Sequence, residues 1–156
     1  MPYVETSIAV AAPARVVYEL AKEQDRFPQF MPDVESVTIV ERRPAGAISR
    51  WKTLVEEAPI EWTEEDRFYD DSLRIEYQLI EGDLDKFEGA WTFEEREGVT
   101  HVVLGVDYDF GVPTLAELIG PTLERKVREN SEMMLAALKS EAEKAASLNE
   151  AAQNDG

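Results

Sequence analysis

Two acidic residues, Glu64 and Asp66, stand two positions apart in a segment where hydrophobic and polar residues alternate. Alternate residues of a β-strand point to the same side of the sheet, so both carboxyls share the face of Trp62 and Phe68, while Arg67 faces solvent. A carboxyl on an apolar face must be paired, hydrated or protonated, and a protonated carboxyl can act as a general acid. Glu64 and Asp66 are therefore the candidates for acid–base catalysis.

Three tryptophans, Trp51, Trp62 and Trp91, extend this inner face. They lie on separate predicted strands, and alternation directs their rings into one space. One tryptophan alone is typical of an ordinary core, but three of them with two inward acids favour a ligand cavity whose polar end is formed by Glu64 and Asp66. Alternation on the other strands and the apolar stripe of the C-terminal helix complete the predicted ligand site with Phe68, Tyr77, Leu104, Tyr108, Asn130 and Met134.

Other kinds of chemistry have little support in the composition. The chain has no cysteine, so thiolate nucleophiles and cysteine-based metal sites are excluded. Its single histidine, His101, falls on the outer face of a predicted strand, and one imidazole does not make the usual zinc site. There is no glycine-rich phosphate loop. We expect neither a metal nor a cofactor.

Hydrophobic periodicity predicts the elements that position these residues. Residues Tyr3 to Val10 alternate as a strand does, a helix opens at Pro13, and prolines break it between Asp25 and Pro32. A helical period runs from Thr114 to about Ser147. Between these helices, six further strands are predicted at Val34–Glu41, Ile48–Glu56, Ile60–Tyr69, Leu73–Ile80, Lys86–Glu95 and Thr100–Phe110. The segments that connect these six strands are short and turn-like, so they join antiparallel neighbours.

These elements predict an α+β fold. A seven-stranded, curved antiparallel sheet wraps around a long C-terminal helix, with one or two short helices between strands 1 and 2. We expect a single domain over residues 1–147 and a frayed tail over residues 148–156, where the apolar stripe is lost. One helical stripe does not fill the space that such a sheet encloses, so the remaining volume is a natural ligand cavity.

The net charge of the chain limits the classes of partner that it can bind. It carries 33 acidic and 16 basic residues, a formal net charge of -17. Such a molecule repels the phosphates of nucleic acid and an anionic bilayer surface. No stretch approaches the roughly 20 apolar residues of a membrane span, and the N-terminus lacks the lysines of a secretory signal. We therefore expect a cytoplasmic protein that does not bind nucleic acid and does not insert stably into a membrane. The sequence does not indicate an oligomeric state.

Several stretches resemble the START-like superfamily, also called SRPBCC or helix-grip proteins. They are IAVAAPARVVYEL, FPQFMPDVESVTIV, EGDLDKFEGAWTF and LERKVRENSEMMLAAL, in that order along the chain. The chain is most similar to the bacterial polyketide cyclase/dehydrases and coenzyme-Q-binding proteins, over residues 3 to 143. The resemblance implies a helix-grip fold and a hydrophobic small-molecule ligand such as a lipid, an isoprenoid quinone or a polyketide-like aromatic.

The resemblance also implies a catalytic position. In the aromatic polyketide cyclases, an arginine four residues after a tryptophan on the fourth strand positions and protonates the substrate. Counted from Trp62, that place holds Asp66, and Arg67 is predicted to face outward. An aspartate does not offer the cationic fork of a guanidinium to an oxygen. The cyclase mechanism therefore carries over only if a bulge shifts the register of this strand.

Three functions remain open from the sequence. The first is binding or carriage of a hydrophobic small molecule in a central cavity. The second is a cyclase, aromatase or dehydratase that uses Glu64 or Asp66 as acid or base, with Tyr77 or Tyr108 as donors. The third is an interaction module whose acidic surface docks a basic protein.

Overall fold

The computed structural model of the protein describes residues 3–55, 58–109 and 113–154. Within these residues, seven strands form one antiparallel sheet in the order β1-β7-β6-β5-β4-β3-β2. The sheet curves around a long C-terminal helix, which confirms the predicted helix-grip fold. The strands are β1 (Tyr3–Val10), β2 (Val34–Arg43), β3 (Gly46–Val55), β4 (Ala58–Tyr69), β5 (Arg74–Gly82), β6 (Lys86–Arg96) and β7 (Val99–Asp109).

Short turns connect the strands from β2 to β7, as the sequence predicts. The turn between β6 and β7 is the clearest case, because Glu97 and Gly98 both have positive φ angles, of 54° and 82°. Two consecutive residues of this kind form the type I′ turn, whose twist matches that of the two strands it joins. The chain therefore folds back directly, and each strand pairs with its neighbour in sequence.

Two short helices lie between β1 and β2. The first, α1 (Ala14–Lys22), follows Pro13, whose missing N–H costs no hydrogen bond at this end of a helix. A 3₁₀ helix (Gln24–Gln29) comes next and ends at the proline-rich break. Phe27 from this second helix is fully buried. Both helices cover the concave side of the sheet.

The long helix α2 (Pro113–Asn154) runs along β1. Arg128 donates to the Glu5 carbonyl at 3.2 Å, and Lys139 donates to the Ala9 carbonyl at 3.1 Å. The amide of Ala11 donates in turn to the Glu143 carboxylate at 2.9 Å. These bonds hold α2 against one edge of the sheet, so its apolar stripe faces the concave side.

The end of α2 differs from the sequence prediction. The helix was expected to end near Ser147, but it continues through residues 148–154. Alanine, leucine and glutamate are strong helix formers, and they extend the helix beyond the last turn that contacts the sheet. Fraying of this end stays a prediction, as does the single-domain boundary at residue 147. The predicted strand end at Phe110 lies outside the described residues. None of the described helices is long and apolar enough to span a membrane.

Candidate ligand-binding cavity

A cavity lies between the concave face of the sheet and α2. The space in it that is open to the centres of water-sized molecules is about 80 Å³. Its wall is mostly apolar and aromatic, with Glu64 as its acidic residue. The cavity is lined by Trp51, Thr53, Ile60, Trp62, Glu64, Tyr77, Leu84, Phe87, Trp91, Leu104, Val106, Val127, Asn130, Ser131 and Met134.

The aromatic part of the wall is built by strand pairing. Trp51 of β3 is directly opposite Trp62 of β4, and the two indoles stack with ring centres 5.7 Å apart and planes within 6°. The other neighbour of Trp62 is Phe87 of β6, at 4.9 Å. Phe27 packs against Trp51 at 5.7 Å and against Trp91 at 6.4 Å. The rings therefore form a continuous surface from β3 to β6.

The two acids of β4 belong to a buried hydrogen-bond network. Glu64 is 3% exposed and Asp66 is 1% exposed, so neither stands at a solvated mouth. Trp62 Nε1 donates to Glu64 Oε1 at 2.7 Å. Ser49 Oγ donates to Asp66 Oδ2 at 2.6 Å and accepts a bond of 2.8 Å from Trp51 Nε1. The network ties both stacked indoles to the carboxyl pair.

Burial makes ionisation of both carboxyls of this pair unfavourable. Burial raises the pKa of Glu64 well above its usual range, and the charge of Asp66 raises it further. Burial also raises the pKa of Asp66, but hydrogen bonds from Glu64, Ser49 and Gln24 oppose that effect. These surroundings therefore favour the protonated form of Glu64 more strongly than that of Asp66, which eases the burial of two carboxyls on an apolar face.

Tyr77 forms another polar point on the wall. Its hydroxyl donates to the Gly105 carbonyl at 2.7 Å, across the intervening strand β6. Gly89 permits this reach, because a Cβ there would lie 2.8 Å from the Tyr77 hydroxyl and 2.0 Å from the Gly105 oxygen. Burial and the nearby Glu64 raise the pKa of Tyr77 well above its usual value. Tyr77 is therefore neutral and its proton is already engaged.

The helix α2 supplies the opposite wall. Val127, Ser131 and Met134 face the sheet there, and Asn130 is fixed by a bond of 3.2 Å from its Nδ2 to Asp33 Oδ2. Asp33 immediately precedes β2, and its carbonyl accepts the amide of Leu54 at 2.8 Å. This contact therefore connects the helix to the end of the sheet where β2 begins and β3 ends.

A bulge lies beside the acidic pair, but not in β4. Between β4 and β5 the register shifts, so that Thr63 pairs with Glu81 and Glu64 pairs with Leu79. The extra residue is Ile80 of β5, which is exposed. The alternation of β4 is unbroken, and Arg67 stays exposed on the outer face. No bulge shifts the register of β4, so Arg67 does not reach the inner position that the catalytic arginine of the cyclases would occupy.

Eight of the eleven predicted ligand-site residues line the cavity. The structure does not place the other three, Asp66, Phe68 and Tyr108, on its wall. Asp66 lies behind the wall in the hydrogen-bond network, and Phe68 lies beside Lys22, 5.5 Å from its Nζ. Tyr108 is buried opposite Phe87 in the pairing of β6 with β7. The eight are Trp51, Trp62, Glu64, Tyr77, Trp91, Leu104, Asn130 and Met134.

Some lining residues were absent from the prediction. Phe87 precedes Trp91 by four residues on β6, so strand alternation places both side chains on the inner face and would have predicted Phe87 as a lining residue. Ser131 follows Asn130 on α2, but it interrupts the apolar stripe and gives no hydrophobic signal. Leu84 lies in the turn between β5 and β6 and is buried, and no periodic pattern in a turn indicates this.

No metal-binding group of three acidic or histidine side chains occurs among the residues that the structure describes. His101, the single imidazole, is exposed on β7, away from the cavity. The chemistry that this site offers is therefore that of an apolar aromatic enclosure with one buried acid pair.

Comparison with known proteins decides the family. Residues 10–135 match the family described as polyketide cyclase / dehydrase and lipid transport. The chain belongs to this family. No protein of curated function matches it in sequence.

Several solved structures are similar to this member of the polyketide cyclase / dehydrase and lipid transport family. The protein TTHA0849 from Thermus thermophilus is 31% identical, with a TM-score of 0.89, over 93% of this chain and 99% of that one. The Zhui aromatase/cyclase from Streptomyces sp. R1128 is 24% identical, with a TM-score of 0.83, over 91% and 93%. The di-domain ARO/CYC BexL of the BE-7585A biosynthetic pathway is 28% identical, with a TM-score of 0.70, over 90% of this chain and 46% of that one.

Proposed function

We propose that this protein binds a small hydrophobic molecule with an aromatic ring in the cavity between the sheet and α2. The observation that carries the proposal is the wall itself, in which Trp51, Trp62, Phe87 and Trp91 face one space. Aromatic faces bind flat apolar ligands through burial and ring stacking. Glu64, Tyr77 and Asn130, which are polar groups of the wall, already have hydrogen-bond partners, so an apolar occupant leaves these three satisfied.

The size of the cavity favours a compact ligand. One water needs roughly 10–15 Å³ of space open to its centre, so about 80 Å³ holds several water-sized molecules or one small ring system. An isoprenoid tail or a lipid acyl chain needs a longer space than this. Among the ligands that the family resemblance suggests, a small aromatic compound therefore fits the enclosed volume best.

The test uses two neighbouring methionines on α2. Met134 lines the cavity, whereas Met133 is 40% exposed on the other side of the helix. Met134→Trp fills the cavity, so we expect its affinity for a neutral aromatic probe, phenethyl alcohol, to fall about tenfold or more, while Met133→Trp binds as the wild type does. Isothermal titration calorimetry measures both. Equal binding by the two variants would show that the probe sits elsewhere.

A native ligand can be sought directly. The protein is purified without added ligand and examined by native mass spectrometry, and an organic extract is analysed in parallel. An aromatic compound that accompanies the wild type and is missing from Met134→Trp supports the proposal. A compound retained equally by both proteins contradicts it.

A second candidate function is acid catalysis within the same cavity. Glu64 is a carboxyl on an apolar wall whose pKa is raised by burial, and such an acid can protonate a carbonyl oxygen during ring closure. A short linear diketone that closes to a cyclohexenone with loss of water is a suitable probe. If Glu64 is the acid, Glu64→Gln abolishes the acceleration, and Glu61→Gln, an exposed acid on the same strand, retains it. Absence of acceleration by the wild type counts against an enzyme of this class.

A further inference from the structure

The donors around the carboxyl pair are already in use. The indole N–H of Trp62 donates to Glu64, that of Trp51 donates to Ser49, and the Tyr77 hydroxyl donates to the Gly105 carbonyl. A ligand at this end of the cavity therefore meets aromatic faces and oxygen lone pairs. Both attract a donor that carries positive charge, and neither suits an anion.

The charge around the cavity has the same sign. Two carboxyls, those of Glu64 and Asp66, share the hydrogen-bond network at this end of the cavity. None of the described residues that line the cavity is a lysine or an arginine. Lys22 is engaged with Asp70 at 3.0 Å, and Arg67 lies on the outer face, where it pairs with Glu65 at 2.7 Å. In an apolar enclosure a negative charge without a cationic partner strongly favours a cation.

We propose that the ligand is an aromatic amine whose ammonium group is received by Glu64, while its ring lies against the aromatic wall. This inference rests on the proposed function, because it names the chemical class of the cavity's occupant. On binding, the Glu64 proton passes to solvent and the carboxylate pairs with the ammonium. No covalent bond is formed or broken.

Binding of such a ligand depends on pH through a small set of groups. Asp66 on the same strand and Tyr77 of β5 are the titratable groups that face Glu64. Ser49 of β3 pairs across from it, and Asn130 with its partner Asp33 lies on the α2 side. Because the ligand displaces a proton from Glu64, its affinity rises with pH until the amine itself deprotonates at roughly pH 10.

Three probes of one shape test the assignment: phenethylamine, phenethyl alcohol and phenylpropionate, titrated calorimetrically into the full chain. At neutral pH we expect the amine to bind about tenfold more tightly than the alcohol, and the acid to bind most weakly. Glu64→Gln should remove the preference for the amine and change alcohol binding by less than about twofold. Glu61→Gln controls for attraction of cations to the acidic surface and should retain the preference.

Equal affinity for amine and alcohol, or tighter binding of the acid, overturns the ammonium assignment and leaves the cavity as a ligand site. If Glu64→Gln still prefers the amine to the alcohol, the ammonium assignment is likewise overturned and the cavity remains a ligand site. If all three probes fail to bind the wild type, the proposed function itself fails. A second measurement needs no variant: titration of phenethylamine in buffers of different ionisation enthalpy should show that about one proton is released, and the absence of release contradicts the assignment.

Discussion

The concave face of the sheet has two halves that are covered differently. Over one half, α1 and the 3₁₀ helix pack directly on the strands, and Tyr18, Phe27 and Met31 are no more than 1% exposed. Tyr18 meets Phe93 of β6 edge to face at 5.5 Å. Over the other half only α2 faces the strands, and the cavity remains. The comparison shows that the short helices decide where the sheet closes.

Phe27 stands at the border between the halves. It contacts Trp51 and Trp91 of the cavity wall, but it comes from the packed half and is fully buried. Its position explains why the cavity is not continuous along the whole sheet. The packed half provides stability and holds the aromatic wall in place, and the open half is left for a ligand.

The largest expected loss of stability comes from removing the side chain of Phe27. Phe27→Ala should destabilise the protein by about 3–5 kcal/mol, because it deletes a fully buried ring and leaves a void. Phe87→Ala, which removes a half-buried ring from the cavity wall, should cost only about 1–2 kcal/mol. Urea denaturation measures both. Equal losses would contradict the division into a packed and an open half.

The next effect tests the network that fixes the wall. Ser49→Ala removes both the donor to Asp66 and the acceptor of Trp51, and it leaves two buried groups unsatisfied. We expect a loss of about 1–3 kcal/mol. Ser36→Ala, at an exposed position of β2, should change stability by less than about 0.5 kcal/mol. If Ser49→Ala is equally silent, the network does not stabilise the wall.

The smallest effect concerns pH. The pKa of Glu64 is raised in the folded state, so its contribution to stability is complete below its unfolded pKa and is lost as pH rises through the folded pKa. Glu64→Gln carries no charge at residue 64 at any pH, so its stability relative to that of the wild type should rise as pH increases. The measurement is the urea midpoint from acid to neutral pH.

Glu65, the neighbour of Glu64 in sequence, is expected to affect the pH dependence of stability in the opposite direction. The Arg67 partner lowers the pKa of Glu65, so this carboxylate contributes stability above its unfolded pKa and loses it as pH falls through the folded one. Glu65→Gln should therefore be less stable than the wild type at neutral pH, and the difference should vanish in acid. Parallel pH profiles for the two variants would contradict the contrast between the inner and outer faces of β4.

Alternation predicted the fold and much of the site. It assigned Trp51, Trp62, Glu64 and Trp91 to the inner face because one-sided burial leaves a strand no other register. It also assigned Phe68 to the inner face, where this residue lies, but Phe68 is in the part of the sheet near α1 and Lys22. Strand parity gives the side of the sheet and carries no information on which helix covers it.

The bonding of the acids required coordinates as well. The sequence indicated that Glu64 and Asp66 must be paired, hydrated or protonated. It could not show that Ser49 of the neighbouring strand β3 supplies the donor to Asp66. Nor could it show that the side chain of Gln24 reaches Asp66 at 3.4 Å. These partners come from pairing between β3 and β4 and from the docking of the 3₁₀ helix, which are tertiary contacts.

The arrangement of the indoles gives the protein an internal optical reporter. The chain has three tryptophans, and all three line the cavity. Its intrinsic tryptophan fluorescence therefore arises entirely from the wall of the proposed site. Any molecule that enters, and any variant that repacks the rings, acts on every emitting group at once, so occupancy can be followed without a label.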